Sequence, residues 1–308
     1  MQALFVGYGS MAKRHINNLK SIIKDRDDDI SVDILRHRQS DDRQSDVLPD
    51  VRNVYTCVDD IKGYYDAVFI TNPTSMHYET LLSVLSLSDN FFLEKPAFER
   101  PDYDVSPFSS KTIYVACPLR YSAVITWLHD NYDFAQAHSL RAISSSYLPE
   151  WRPGTDYRDT YSAHSQQGGG VSIDLIHEWD YLQYLIGYPQ ELFSIIQRKS
   201  SLEIDSDDIA LYIASYEDKV VELHLDYFGR VPMRKLEIFD DEDTIECNLI
   251  SSEIIWMGSK RKLSFGECRD DFQRKELEHF LAIMSGESEN DNSLERALQT
   301  LKLAKGIL

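Results

Sequence analysis

Apolar positions follow two different rhythms along the chain. From Gln2 to about Pro118, the short apolar runs LFV, VDIL, NVYTCV, DAVFIT, NFFLE and TIYVAC alternate with segments of helical period. One such segment sets Met11, His15, Leu19 and Ile22 on a single face, and another runs from Ser75 to Leu87. Strand-length runs separated by amphipathic helices point to βαβ units and a doubly wound parallel sheet. After Pro118 the pattern changes. A helix is expected from Tyr121 to Asn131, then strands at Ser139 to Leu148, Glu191 to Arg198, Asp208 to Tyr216, Val220 to Phe228, Arg234 to Phe239, Thr244 to Ile250, Ile254 to Met257 and Lys262 to Phe265. Turn-sized gaps such as Glu217–Asp218 favour antiparallel neighbours, because a parallel crossover needs about a dozen residues or more. Two helices close the chain, one with Leu277, Phe280, Leu281 and Met284 on a face, the other with Leu294, Ala297, Leu298 and Leu301.

The expected fold is therefore α/β, with a parallel-sheet domain over 1–118 and an α+β domain with an open, mostly antiparallel sheet over 119–308. A length of 308 residues accommodates two domains of ordinary size. With 43% apolar residues there is material for two cores. Lys and Arg total 32 against 51 Asp and Glu, a formal charge of -19, which argues against nucleic acid and membrane partners. The acidic clusters, Asp27 to Asp29, Asp59–Asp60, Asp207–Asp208 and Asp240 to Asp243, read as solvated turns. Cys57, Cys117, Cys247 and Cys268 have neither metal-ligand spacing nor the density of a disulfide scaffold, and no apolar run reaches the roughly 18 residues of a membrane span. A cytoplasmic location and no metal site are expected.

Candidate chemistry begins at the first turn. Gly7-Tyr8-Gly9-Ser10-Met11-Ala12 matches G-x-G-x-x-A between a strand and a helix. Gly7 allows the sharp bend, Gly9 a close approach of backbone to a pyrophosphate, and Ala12 tight helix-on-strand packing. The pyrophosphate would rest on the helix N-terminus, with Ser10 and Met11 in its first turn. At the end of the second strand stand Arg36-His37-Arg38, with no carboxylate before Asp41. An acidic residue there would suit the ribose of NAD; Arg36 and Arg38 favour NADP(H).

Two further features stand at the ends of expected elements. Glu94-Lys95-Pro96 follows the fifth strand, where ligands of open parallel sheets collect, and a lysine there can stabilise negative charge on a substrate oxygen. Gly168-Gly169-Gly170 precedes VSIDLIHEWDYLQYLIG, read as one helix with Val171, Leu175, Trp179, Leu182 and Ile186 on its apolar face. Asp174, His177, Glu178 and Tyr181 share the other side, where a carboxylate can orient an imidazole for general acid/base work. Three successive glycines just before a helix suggest very close backbone approach to something.

Taken in order, the glycine turn with Arg14-His15, Thr71-Asn72-Pro73 with His77, Glu94-Lys95-Pro96, and the three glycines with Asp174 and His177 make the whole chain resemble the Gfo/Idh/MocA family, the glucose-fructose oxidoreductase and inositol dehydrogenase group. The resemblance implies an N-terminal Rossmann domain that binds NAD(P) and a C-terminal α/β domain whose open sheet face commonly forms a dimer interface. It implies a homodimer or homotetramer. It assigns Lys95 and His177 to the substrate oxygen and Asp174 to neighbouring hydroxyls, with Asn72, Pro73, His77, Glu94 and Lys95 beside the cofactor. One departure weakens Asp174: the family spaces Asp and His by three residues, whereas here two intervene.

The segment SYLPEWRPGTDYRDTYSA also resembles members linked to cell-surface sugar biosynthesis. The expected substrate contacts are Arg120, Trp151, Arg152, Tyr157, Arg158, Tyr161, Gly169 and Tyr181, with aromatics to stack on a sugar and arginines to hold a carboxylate or phosphate. The leading expectation is an NAD(P)-dependent oxidoreductase acting on a sugar or sugar derivative, possibly anionic or nucleotide-linked. The alternatives are an NAD-assisted glycosidase on the same fold and a non-catalytic cofactor-binding sensor.

Overall fold

In the computed structural model, which describes residues 1–36 and 51–308, the chain divides into two compact units. The first holds Met1–Ala116 and Gln273–Leu298; the second holds Cys117–Phe272 and Gln299–Leu308. Among the described residues no helix is long and apolar enough to cross a membrane.

The first unit contains β1 (Gln2–Val6), α1 (Ser10–Asp25), β2 (Ser31–Leu35), β3 (Asn53–Tyr55), β4 (Ala67–Ile70), α2 (His77–Val84), β5 (Asn90–Leu93) and β6 (Thr112–Val115). Its six strands are parallel in the order β3-β2-β1-β4-β5-β6. The strands are apolar on both faces because helices cover both sides of such a sheet. α1 forms because Ala12, His15, Ile16, Leu19, Ile22 and Ile23 recur at helical spacing and are all buried. Phe5 stacks on Phe69 at 4.4 Å between ring centres. β3 is shorter than NVYTCV suggested. Its start is pinned by Asp33, a buried carboxylate that accepts from Arg52 Nε (3.0 Å) and Nη2 (2.7 Å), the Asn53 N–H (3.0 Å) and Tyr65 OH (2.8 Å). Burial alone raises this carboxyl, but the donors hold it below the usual range.

Residues 273–298, which the sequence reading gave to the second domain, lie in this first unit. They carry most of α6 (Arg269–Ser285), whose Phe280 packs edge-on to Phe69 (5.7 Å) and Phe92 (5.4 Å). The following turn caps the edge strand: the Val115 N–H donates to Asn292 O, and Asn292 Nδ2 donates to Val115 O. The periodicity of 277–284 shows a buried stripe but not its partner, which is the aromatic face of the first sheet, Phe69, Phe92 and Tyr114.

The second unit contains α3 (Ala123–Asn131), β7 (Ser139–Tyr147), α4 (Val171–Asp174), α5 (His177–Ile186), β8 (Glu191–Gln197), β9 (Ile209–Ser215), β10 (Val220–Asp226), β11 (Phe228–Phe239), β12 (Thr244–Asn248), β13 (Glu253–Trp256) and β14 (Lys262–Ser264). The sheet order is β14-β13-β12-β11-β7-β10-β9-β8, antiparallel throughout except for β7 and β10. Alternation buries Leu140 and Ala142, Leu223 and Leu225, and Leu236 and Ile238 on one face, while Phe193, Ile195 and Ile213 stand on the exposed one. The last helix, α7 (Leu294–Ala304), ends here, with Tyr212 OH donating to Ala304 O at 2.6 Å. The α/β architecture is the one the two rhythms predict.

Candidate active site

In the first sheet, β1 and β4 are central neighbours from which the chain winds outward in opposite directions. Their carboxyl ends form the switch point at which open α/β sheets bind ligands. The Gly7 turn lies there against the Asn72 turn. Gly7 has φ +94, and a Cβ on it would stand 2.9 Å from Asn72 N, so the packing of these two turns itself requires glycine. Gly9 differs. It precedes α1 with φ -80, and a Cβ there would meet no atom within 4 Å. No side chain caps α1 and its first turn carries no acidic residue, while Ser10 is exposed and Ala12 buried. An open glycine before an uncapped helix N-terminus fits a pyrophosphate. Arg36 ends the second strand with its N–H on Tyr55 O, and Arg38 lies outside the described residues.

The Glu94-Lys95-Pro96 turn is gripped from two helices. His15, buried on α1, meets Glu94 Oε1 through Nε2 at 2.6 Å, and Glu94 Oε2 accepts the Lys95 N–H at 3.3 Å. Burial raises the Glu94 carboxyl, yet His15 with the nearby Lys95 and His77 brings it below its ordinary value. His77, at the start of α2, is only 1% exposed. Its Nδ1 faces Pro96 O (3.2 Å) and Ala97 O (3.1 Å), and its Nε2 faces Asn72 O (2.9 Å). Burial lowers the His77 pKa against the pull of these carbonyls. Enclosed in this way, His77 holds the turns together; it is not the cofactor contact expected of it. The structure thus groups Gly7, Gly9, Asn72, Glu94 and Lys95 at one end of the sheet, with Pro73 exposed beside Asn72.

In the second unit the run after the three glycines is two helices. α4 ends at Asp174 and α5 begins at His177, with Leu175 (φ -99, ψ 28) and Ile176 forming a turn between them. Asp174 and His177 therefore do not share one continuous helix face. Asp174 accepts from Tyr227 OH at 2.6 Å and also holds Tyr161. Burial raises both tyrosine pKa values, and the charge of Asp174 adds to it. His177 is partly exposed at the start of α5. The glycines approach the chain itself: a Cβ on Gly169 would stand 2.1 Å from Tyr161 O, and one on Gly170 (φ +131) 2.2 Å from Asp207 Oδ1. Gly169 is accordingly a packing residue, not a substrate contact.

The segment before the glycines encloses little space: Leu148, Trp151, Arg152, Tyr157, Thr160 and Ser162 line a hollow with room for about one water molecule, far below the roughly 300–1,000 Å³ of a small-molecule site. Arg152 lies over the Tyr161 ring at 5.3 Å, and Trp151 meets Tyr227 edge-on at 5.2 Å. Three expected substrate contacts fall elsewhere. Arg120 is 2% exposed and gives its Nε and Nη2 to Asp180 at 2.9 and 2.8 Å. Tyr181 is fully buried in the core, since the supposed polar face of α5 packs on the sheet. Arg158 is spent on Asp156 and Glu203, and its guanidinium holds the Asp156 carboxyl down at about 2.

Residues 1–103 match a family model described as an oxidoreductase family with an NAD-binding Rossmann fold, Gfo/Idh/MocA. The N-terminal third of the chain thus carries the sequence of that NAD-binding Rossmann family. Solved structures share the fold of the whole chain. UDP-N-acetylglucosamine 3-dehydrogenase GnnA from Acidithiobacillus ferrooxidans has a TM-score of 0.78 at 18% identity, covering 100% of this chain and 96% of that one. WlbA dehydrogenase from Bordetella pertussis, solved with NADH and UDP-GlcNAcA, has 0.78 at 16%, covering 100% and 95%. Myo-inositol 2-dehydrogenase from Lactobacillus plantarum has 0.75 at 16%, covering 99% and 95%. Among curated proteins none matches the sequence.

Within the first unit, sequence reasoning gave His15 no role of its own: it read as part of a core stripe and of the motif set, not as the partner of Glu94. In the second unit it passed over Tyr227, and it took Asp207–Asp208 for a solvated turn. Asp208 is fully buried and accepts the N–H groups of Lys199 and Ser200, and Asp207 accepts the Ser172 N–H at 2.9 Å. Burial raises the Asp207 carboxyl. No local signal marks these carboxylates, because their donors come from residues distant in the chain or from turns whose shape the sequence leaves open.

Proposed function

We propose that the chain is an NAD(P)-dependent oxidoreductase acting at a hydroxyl or keto carbon of a sugar or sugar derivative. The observation that carries this reading is Gly9: packing requires Gly7, whereas Gly9 lies open before an uncapped helix N-terminus, leaving bare backbone that a pyrophosphate can approach. The turn from Gly7 to Ala12 would hold the pyrophosphate, with Asn72, Pro73 and Glu94 beside it. Arg36, with Arg38 beyond it in sequence, supports a preference for NADP(H). A bound nicotinamide supplies or accepts the hydride. The chain's own part is proton and charge management: Lys95 Nζ donates to the reacting oxygen, and the His177 imidazole takes the hydroxyl proton on oxidation and returns it on reduction. Asp174, fixed by Tyr227 and Tyr161, would orient a neighbouring hydroxyl. Trp151, Arg152, Tyr157 and Tyr161 line the place where a sugar would stack.

Two results are expected. NADPH binds more tightly than NADH by fluorescence titration, and UDP-N-acetylglucosamine or its uronate gives a net change in the near-ultraviolet absorbance of the reduced nicotinamide. Turnover without net cofactor change would favour the glycosidase alternative and sink this reading. The variant Gly9→Ala should lower the melting temperature by no more than about 4 °C, since alanine costs about 1 kcal/mol or less at a helix start. Its affinity for NADPH should fall by about tenfold or more, equivalent to ~1.4 kcal/mol. Unchanged affinity would remove the cofactor role of this turn.

A further inference from the structure

We propose that Arg234, held in place by Glu178, recognises an oxyanion of the substrate, a carboxylate or a phosphate, through its two terminal nitrogens. The inference rests on the oxidoreductase reading only in calling the ligand a substrate. Arg234 stands on the face of β11 that buries Leu236 and Ile238, opposite Ser144 of β7, at the end of that face. Its side chain is 25% exposed, whereas that of Glu178, its partner at 2.7 Å from Nε to Oε1, is 0% exposed. The contact is an ion pair, and Ser144, opposite Arg234 on β7, also interacts with the Glu178 carboxylate. Burial pushes the Glu178 carboxyl up and the Arg234 charge pulls it back. Such a pair is costly, and hydrophobic residues of similar volume often do as well or better for stability.

What the pair accomplishes is orientation. Glu178 engages the Nε side, and no described residue accepts a hydrogen bond from Nη1 or Nη2. Three of the arginines named above are committed to carboxylates: Arg52 to Asp33, Arg120 to Asp180, and Arg158 to Asp156 and Glu203. A guanidinium anchored at one edge and open at the other presents a preset fork, the geometry that binds carboxylate or phosphate with two parallel bonds. Its anchor follows directly after His177 in the chain, at the start of α5. Three residues after Ser144, β7 ends at Tyr147 and leads into the cavity segment of Trp151 and Arg152.

The test is equilibrium binding of glucuronate, glucose 1-phosphate and glucose to the full chain saturated with NADPH. The wild type should bind at least one of the two anions about tenfold or more above glucose, the ratio that corresponds to ~1.4 kcal/mol. Arg234→Lys should keep part of that preference, having charge without the fork. The double variant Glu178→Gln, Arg234→Met, which leaves no stranded buried carboxylate, should abolish it with the melting temperature retained. Loss confined to glucuronate assigns a carboxylate; loss confined to glucose 1-phosphate assigns a phosphate; either supports the proposal. A wild type without anion preference, or a double variant that keeps it, overturns it. Nicotinamide turnover of neutral sugars without anion preference would overturn this assignment and leave the oxidoreductase reading standing. Anion preference without nicotinamide turnover would do the reverse.

Discussion

The variant Lys95→Ala is expected to lose about 10²- to 10³-fold in kcat, the range seen when one donor to a developing oxyanion is removed. Its dissociation constant for NADPH should stay within about threefold of wild type, a difference under ~0.7 kcal/mol. The separation follows from where the turn is held. His15 and Glu94 on one side and His77 on the other grip backbone and carboxylate, so the lysine side chain can be removed without releasing the turn. Steady-state kinetics on whichever sugar the wild type turns over, beside a fluorescence titration with NADPH, reads both quantities. Near-full activity would remove Lys95 from the chemistry, whereas an equal loss of cofactor affinity would make it a binding residue instead.

Gly169→Ala is expected to destabilise the second unit by about 3 kcal/mol or more, at the upper end of overpacking effects. The added carbon would stand 2.1 Å from Tyr161 O and 2.7 Å from Ser162 O, and both are backbone atoms that no rotamer change can move aside. At roughly 2–4 °C per kcal/mol for a domain of this size, the melting temperature should fall by about 6 °C or more. Gly9→Ala, with open space around its added carbon, is the control, expected to melt within about 4 °C of wild type. A melting temperature for Gly169→Ala equal to wild type would show that the Tyr161 segment yields freely. The holding of Tyr161 against Asp174 would then be looser than the structure shows.

The three glycines show how far a sequence carries. Three in a row before a patterned segment announce close backbone approach, and the approach is there. Its object is not a ligand: the backbone of residues 161 and 162 and the carboxylate of Asp207 fill the space. Asp207 was legible only as an acidic residue beside another, which in most turns means solvent. The helix after the glycines was misread for a related reason. A 3.6-residue period describes a helix lying on one surface, but Val171 to Ile176 are buried on every side, and such a segment carries no face to read. Arg120 and Tyr181 look like binding residues by type; burial, with Asp180 as a partner for the arginine, makes them structural.

By itself the sequence determined the two sheets, the order of the first six strands' chemistry, and the glycine turn that a dinucleotide would use. Those are local properties: a period of two or 3.6, a glycine where only a glycine bends, an apolar run too short for anything but a strand. Tertiary structure alone decided that residues 273–298 complete the first unit and that His77 clamps turns. It also decided that Glu178 anchors Arg234. The reason is the same in each case. Whether a polar side chain is a site or a strut depends on what covers it, and the covering residues come from segments tens to hundreds of positions away.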